Sequence, residues 1–265
     1  MREFPGQARG LQYLAGPTPT RLVAVAALPQ STAALQLLWL LTRQPWSGEA
    51  PTLVLDGQAG ERADGLSHWL RQPATGWAAL AATDGHVPVV PARDGLLALC
   101  EQARTQGAAV ARARLMAALP AGALVLLSAP PSLLAVLLQD SDVHPLVALD
   151  GGPRAVVSAY NALKVLLHAG GVRPVLVPLL QPARADGVRR AERSVLHCCS
   201  EHLEEAVQSW PVAYHDDHVA GQVSVPENWW LRVLDSALST PTARVTDAAA
   251  RPLRPPVQEM AFRSP

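Results

Sequence analysis

Three groups of residues have types and spacings that could do chemistry. Ser31 and Thr32 lie in the polar turn Pro29-Gln30-Ser31-Thr32, between an apolar run and a helical pattern, and Asp56 closes the next apolar run. Hydroxyls ahead of a helix, with a carboxylate at a strand end, suit a phosphate or metal-water contact at a helix N-terminus. Asp56-Gly57 reads equally as an acidic residue opening a loop. The second group is His197-Cys198-Cys199 with His202. On a helix 198 and 202 share a face, as do 199 and 202. Adjacent cysteines point apart, however, and no second Cys-x-x-Cys pair completes four ligands, so buried helical thiols are expected. The third is His215-Asp216-Asp217-His218 after a short predicted strand, either a metal site or a solvated turn. Ser128 lacks the Gly-x-Ser-x-Gly elbow of an activated nucleophile.

The elements that must position the first group run from Arg21 to Arg43. Leu22–Leu28 reads as a strand, and Leu35, Leu38, Trp39 and Leu41 recur at helical spacing within Ala33–Thr42. Strand, tight turn and helix open a nucleotide-binding α/β domain. Holding phosphates also takes glycines, so that backbone N–H groups can approach, and a lysine. No glycine lies between Gly16 and Gly48, Pro29 removes a backbone donor, and the one lysine of the chain is Lys164. The turn therefore keeps the architecture without the phosphate chemistry. Ser31 or Thr32 is left to cap the helix.

The remaining elements alternate. Strands are predicted at Thr52–Asp56, Val87–Pro91, Ala123–Leu127, Leu146–Leu149 and Val172–Leu180, with short ones at Pro211–Tyr214 and Val223–Val225. Ser128–Pro131 reads as a turn at the sheet edge. Helices are predicted over 61–70, 94–119, 154–168, 184–208 and 227–238, the last presenting Trp229 and Trp230 either to the core or to a partner. Such alternation implies an α/β fold with a mostly parallel, doubly wound sheet and helices on both faces. Residues 5–15 form a short helical candidate with Ala8, Leu11 and Leu14 on one side. Residues 1–16 thus form an N-terminal helical segment for docking a partner, 17–20 read as a stiff Pro-rich linker, 21–239 as the domain, and 240–265 as a disordered tail rich in Pro, Arg, Thr and Ala.

Composition bounds the function. Lys+Arg and Asp+Glu balance at 22 each, so no global basic field points to nucleic acid. Three cysteines form no disulfide framework and suit a reducing compartment. The N-terminus lacks the apolar core of a signal peptide. The uncharged runs at 22–42 and 115–139 are broken by Pro29–Thr32 and by Pro120, Ser128, Pro130 and Pro131, and read as buried parallel strands rather than membrane spans.

Four stretches carry a family resemblance. Gly6-Gln7-Ala8-Arg9-Gly10-Leu11 is similar to the N-terminal motif Asp-Gln-Ala-x-x-Leu-Arg. Residues 22–41 stand where a deviant P-loop strand and helix belong. Leu53-Val54-Leu55-Asp56 resembles the strand ending in Asp that follows, and Ala155–Leu167 resembles a helix with Ala-Tyr-x-x-Ile-Lys. The chain thus resembles the MinD/ParA-like ATPases, and among them the flagellar-number regulators of the FlhG (FleN) type. The departures are equally definite: Lys-Gly-Gly-x-Gly-Lys-Thr is reduced to Ser31 and Thr32, and Ser128 replaces an Asp. Gly6 and Gln12 replace the Asp and Arg of the first motif, and no C-terminal amphipathic membrane helix is evident.

The resemblance implies a MinD-like pseudo-ATPase that regulates flagellar number or placement. It implies no working cofactor, with ATP and magnesium lost, and a degenerate nucleotide site at Ser31, Thr32 and Asp56. It implies an FlhF-like GTPase partner docked through Gln7, Leu11 and Leu14, and also flagellar C-ring proteins or a flagellar transcription activator. Nucleic acid is not contacted directly. Localisation is expected to be cytoplasmic, at the cell pole or the inner-membrane surface, with membrane association at most peripheral. The alternatives are a divergent MinD/ParA-like module for pilus placement, cellulose synthesis or partition, and a weakly active ATPase.

Overall fold

The computed structural model describes residues 18–29, 31–44, 51–62, 64–72, 86–203, 205–214 and 225–239. Chain order gives β1 (Arg21–Ala26), α1 (Ala33–Thr42), β2 (Thr52–Asp56), α2 (Leu66–Trp69), β3 (Val89–Pro91), α3 (Arg93–Gln106), α4 (Ala108–Ala118) and β4 (Leu124–Ala129). There follow α5 (Pro131–Leu137), β5 (Leu146–Leu149), α6 (Ala155–Lys164), β6 (Val175–Leu180), α7 (Ala185–His202), β7 (Gln208–Ser209), β8 (Val212–Ala213), α8 (Glu227–Asp235) and β9 (Leu238–Ser239). Among the described residues the sheet has nine strands, in the order β3-β2-β4-β1-β5-β6-β7, with β8 on β6 and β9 on β1. Every pairing is parallel except that of β9, which fills the side of Arg21–Leu22 that β5 leaves open.

Both faces of the sheet are buried, which is why its strands read as unbroken apolar runs. Leu22, Ala24, Leu53, Leu55, Val125 and Leu127 face one layer with α2 through α7. Val23, Val25, Val54, Leu124 and Leu126 face the other, with α1 and α8. From β1 the chain crosses over β4 to reach β2. From β4 it crosses back over β1 to reach β5. The C-terminal ends of β1 and β4 are therefore the topological switch point, where α/β sheets place their ligands.

Several sequence expectations need correction. Ser128 is not in an edge turn. It is a buried residue of β4, an interior strand between β1 and β2. The strand stops at Pro130, and Pro131 begins α5, since proline costs least in the first turn of a helix. The helix predicted over 94–119 is two helices, broken at Gly107, whose φ of 95° suits glycine. The helix predicted over 61–70 shrinks to Leu66–Trp69, because Glu61 serves a different purpose described below. The helix predicted from Arg154 runs as α6 into a π-turn at Val165–Ala169. The long helix starts after a 3-10 turn at Pro182–Arg184 and ends at His202.

Thr20, placed in the linker, is buried in the body. Its hydroxyl donates to the Pro120 carbonyl at 2.9 Å and accepts the Gly122 N–H at 3.0 Å. Trp229 and Trp230 are core residues of α8, and Trp229 Nε1 donates to the Trp210 carbonyl at 3.1 Å. Among the described residues no helix is long and apolar enough to cross a membrane. Gln7, Leu11, Leu14, the 215–218 cluster and the tail lie outside the described residues.

Candidate functional site

The end of β1, the start of α1 and the ends of β2 and β4 converge at the switch point. Side chains alternate along a strand, so Asp56 follows Val54, and Ser128 follows Leu126, onto the α1 face. The two are register partners in the β2–β4 ladder. Gly57 holds this junction closed. Its N–H donates to the Ser128 carbonyl at 2.7 Å. A Cβ there would meet Leu96 Cδ1 at 2.7 Å, Ala129 Cβ at 2.8 Å and the Ser128 carbonyl oxygen at 2.9 Å.

Ser31, Asp56 and Ser128 line one cleft of about 550 Å³ between α1 and the β2–β3 edge, which continues past Leu28, Leu35, Leu38, Trp39, Val87 and Val89. Thr32 is not brought into it; that side chain is exposed and makes no capping bond. Ser31 caps instead, its Oγ accepting the Ala33 N–H at 3.2 Å. One Asp56 oxygen accepts the Gln58 N–H at 2.9 Å. Among the described lining residues Asp56 carries the one formal charge.

A second cleft, of about 880 Å³, opens on the opposite side of the Ala27–Pro29 segment, between α3, α5 and α6. It is lined by Arg93, Leu97, Pro130, Pro131, Ser158 and Asn161. Among its described lining residues the one cation is Arg93, on α3 and not on the segment that joins β1 to α1. The arrangement therefore offers phosphate neither a glycine-built cradle nor a lysine from that segment. It offers an apolar cleft with one anionic end.

The next helix N-termini are occupied by the chain itself. Glu61 Oε2 accepts the Ser67 N–H at 2.6 Å and Glu61 Oε1 accepts the Gly95 N–H at 2.5 Å, so one carboxylate joins the starts of α2 and α3. Asp94 Oδ2 in turn accepts the Glu61 N–H at 3.1 Å. Sequence reading missed Glu61 by absorbing it into a helix. The usable signal was an acidic residue four positions ahead of Gly65, just before an apolar run.

The His/Cys group is taken apart by α7. Cys199 is buried, Cys198 half-buried, and His197 and His202 are exposed. Burial, then Cys198, pushes the Cys199 thiol up to about 11, away from the thiolate that a metal would need. Among the described residues no group of three or more His, Cys, Asp or Glu could hold a metal ion.

The class these observations define is a mostly parallel, doubly wound α/β protein with its clefts at the strand C-termini. No family model matches the sequence. No curated protein matches it. Solved structures align along most of the chain. Apo McdA from Cyanothece is 14% identical over 82% of this chain and 90% of that one, with a TM-score of 0.46. An ATP complex of a McdA variant from Cyanothece is 14% identical over 83% and 88%, with a TM-score of 0.48. A structure described as a plasmid partition protein from Borrelia burgdorferi B31 bound to AMPPNP is 10% identical over 83% and 98%, with a TM-score of 0.42.

Proposed function

We propose that the chain is a MinD/ParA-like pseudo-ATPase that works as a regulatory binding protein. In this reading it sets flagellar number or placement by engaging an FlhF-like GTPase. The observation that carries the proposal is the turn between β1 and α1. It stands at the switch point, where a nucleotide switch keeps its phosphates, yet it has no glycine and no lysine, and its helix is capped by Ser31. The N-terminal motif containing Gln7 supplies the partner in this reading, through its resemblance to the FlhG type. Leu11 and Leu14 then form the apolar side of the docking segment.

The test is to add the full chain to an FlhF-like GTPase and follow GTP turnover. Turnover rises, and Gln7→Ala removes the rise while leaving the thermal unfolding of the chain unchanged. Unchanged turnover with the intact chain removes the flagellar assignment and leaves a pilus, cellulose or partition role as the surviving reading. Flagellar C-ring proteins are the second expected partner, checked by co-purification with the intact chain.

A further inference from the structure

We propose that the α1/β2–β3 cleft binds an organic amine: an ammonium group on a compact hydrocarbon body. The proposal goes beyond the flagellar reading and stands without it. The cleft volume, about 550 Å³, lies within the range of small-molecule pockets. Its walls are apolar, from Leu28, Leu35 and Leu38 of the β1–α1 segment to Val54, Val87 and Val89 of the sheet edge. Leu35 and Val89 are 65% and 59% exposed, so hydrocarbon at the mouth still faces water, and a ligand body would cover it.

Charge is confined to one end, where Asp56, Ser128, Ser31 and Gln58 gather; at the other, the Thr42 hydroxyl donates to the Trp39 carbonyl at 2.9 Å. The described lining residues include no Lys, Arg or His. The Asp56 carboxylate accepts the Gln58 N–H through Oδ1. Ser128 is 6% exposed, and its hydroxyl has no partner among the described residues. A carboxylate oxygen and a hydroxyl side by side accept the hydrogens of an ammonium group. Ser31 Oγ already accepts the Ala33 N–H, which turns the positive end of α1 toward its own cap. At the far end, Arg43 stacks on Trp39 at 5.2 Å to the ring centroid, where it repels a second cation and favours a hydrocarbon tail. A carboxylate or phosphate group at the Asp56 end would meet no countercharge among the described lining residues.

The test uses the whole chain and three probes with one body: hexylamine, hexanol and hexanoate. The Trp39 indole N–H resonance, assigned with Trp39→Phe, reports the cleft. Hexylamine is expected to shift that resonance saturably, with a dissociation constant about tenfold or more below that of hexanoate, since one ion pair is gained and one repulsion avoided. Asp56→Asn is expected to erase the preference. If that variant fails to fold, Leu35→Lys, at an exposed position, places a cation at the mouth and is expected to abolish amine binding. Nα-acetyl-lysine methylamide carries the same ammonium beside two amides, and tighter binding of hexylamine supports a free amine. Tighter binding of the lysine derivative would overturn the free-ligand assignment. Hexanoate binding as tightly as hexylamine would overturn the proposal. So would a resonance unmoved by hexylamine up to about 10 mM, where a ligand of so few atoms must already register.

Discussion

The helix that follows β1 and the helices that follow β2 and β3 solve the same problem in different ways. Each begins with backbone N–H groups that have no partner within the helix. At α2 and α3 the chain inserts its own carboxylate: Glu61 takes the Ser67 and Gly95 N–H groups at once. At α1 a neutral hydroxyl, Ser31, takes the Ala33 N–H, and the Asp56 carboxylate lines the cleft beside the helix. The attraction of helix starts for anions is used in this molecule to join elements. It is not directed outward at the one turn where a phosphate ligand would be expected.

The largest effect should come from Glu61. Glu61→Ala removes two charge-assisted bonds from a half-buried site, and is expected to cost about 2–3 kcal/mol in urea unfolding. Glu61→Gln should recover part of that. An effect below about 0.5 kcal/mol, the range of an ordinary surface change, would break the contrast between the two regions.

Gly57 comes next. Gly57→Ala forces a methyl against Leu96, Ala129 and the Ser128 carbonyl, and should cost about 1–3 kcal/mol by overpacking. It should also alter the Asp56–Ser128 end of the cleft, detectable as weaker amine binding. A neutral Gly57→Ala would mean that the β2–β4 junction is looser than its 2.7 Å hydrogen bond implies.

The smallest effects sharpen the picture at α1. Ser31→Ala should cost about 0.5–1 kcal/mol, the loss of one neutral cap. Thr32→Ala should stay within about 0.5 kcal/mol, because the side chain is exposed and caps nothing. If Thr32→Ala were the more costly, the capping role would belong to Thr32, and the turn would have to be read anew.

Much of the scaffold could be read from the sequence. β2, at Thr52–Asp56, and β5, at Leu146–Leu149, match their predicted bounds, and β1 and β6 are close to theirs, because two-sided burial writes itself as continuous apolar runs. The parallel sheet and the covering of both faces followed from the alternation of elements. Ser128 was misplaced because Pro130 and Pro131 look like a turn, while whether a strand is interior or at an edge depends on partners far away in sequence. Glu61 was missed because its two partners are separated by 28 positions, Ser67 from Gly95, and no local pattern pairs them. Of the predicted nucleotide residues, Ser31 and Asp56 do share a cleft, which the strand-turn-helix pattern implied. That the same cleft is apolar along α1 depends on Val87 and Val89, which only the sheet order brings there.

The central claim concerns the turn between β1 and α1, and calorimetric titration of the whole chain with ATP and magnesium tests it most directly. The account predicts no saturable heat at nucleotide concentrations up to about 1 mM, equivalent to a binding free energy weaker than about −4 kcal/mol. A dissociation constant in the micromolar range, lost in Ser31→Ala or Asp56→Asn, would contradict it.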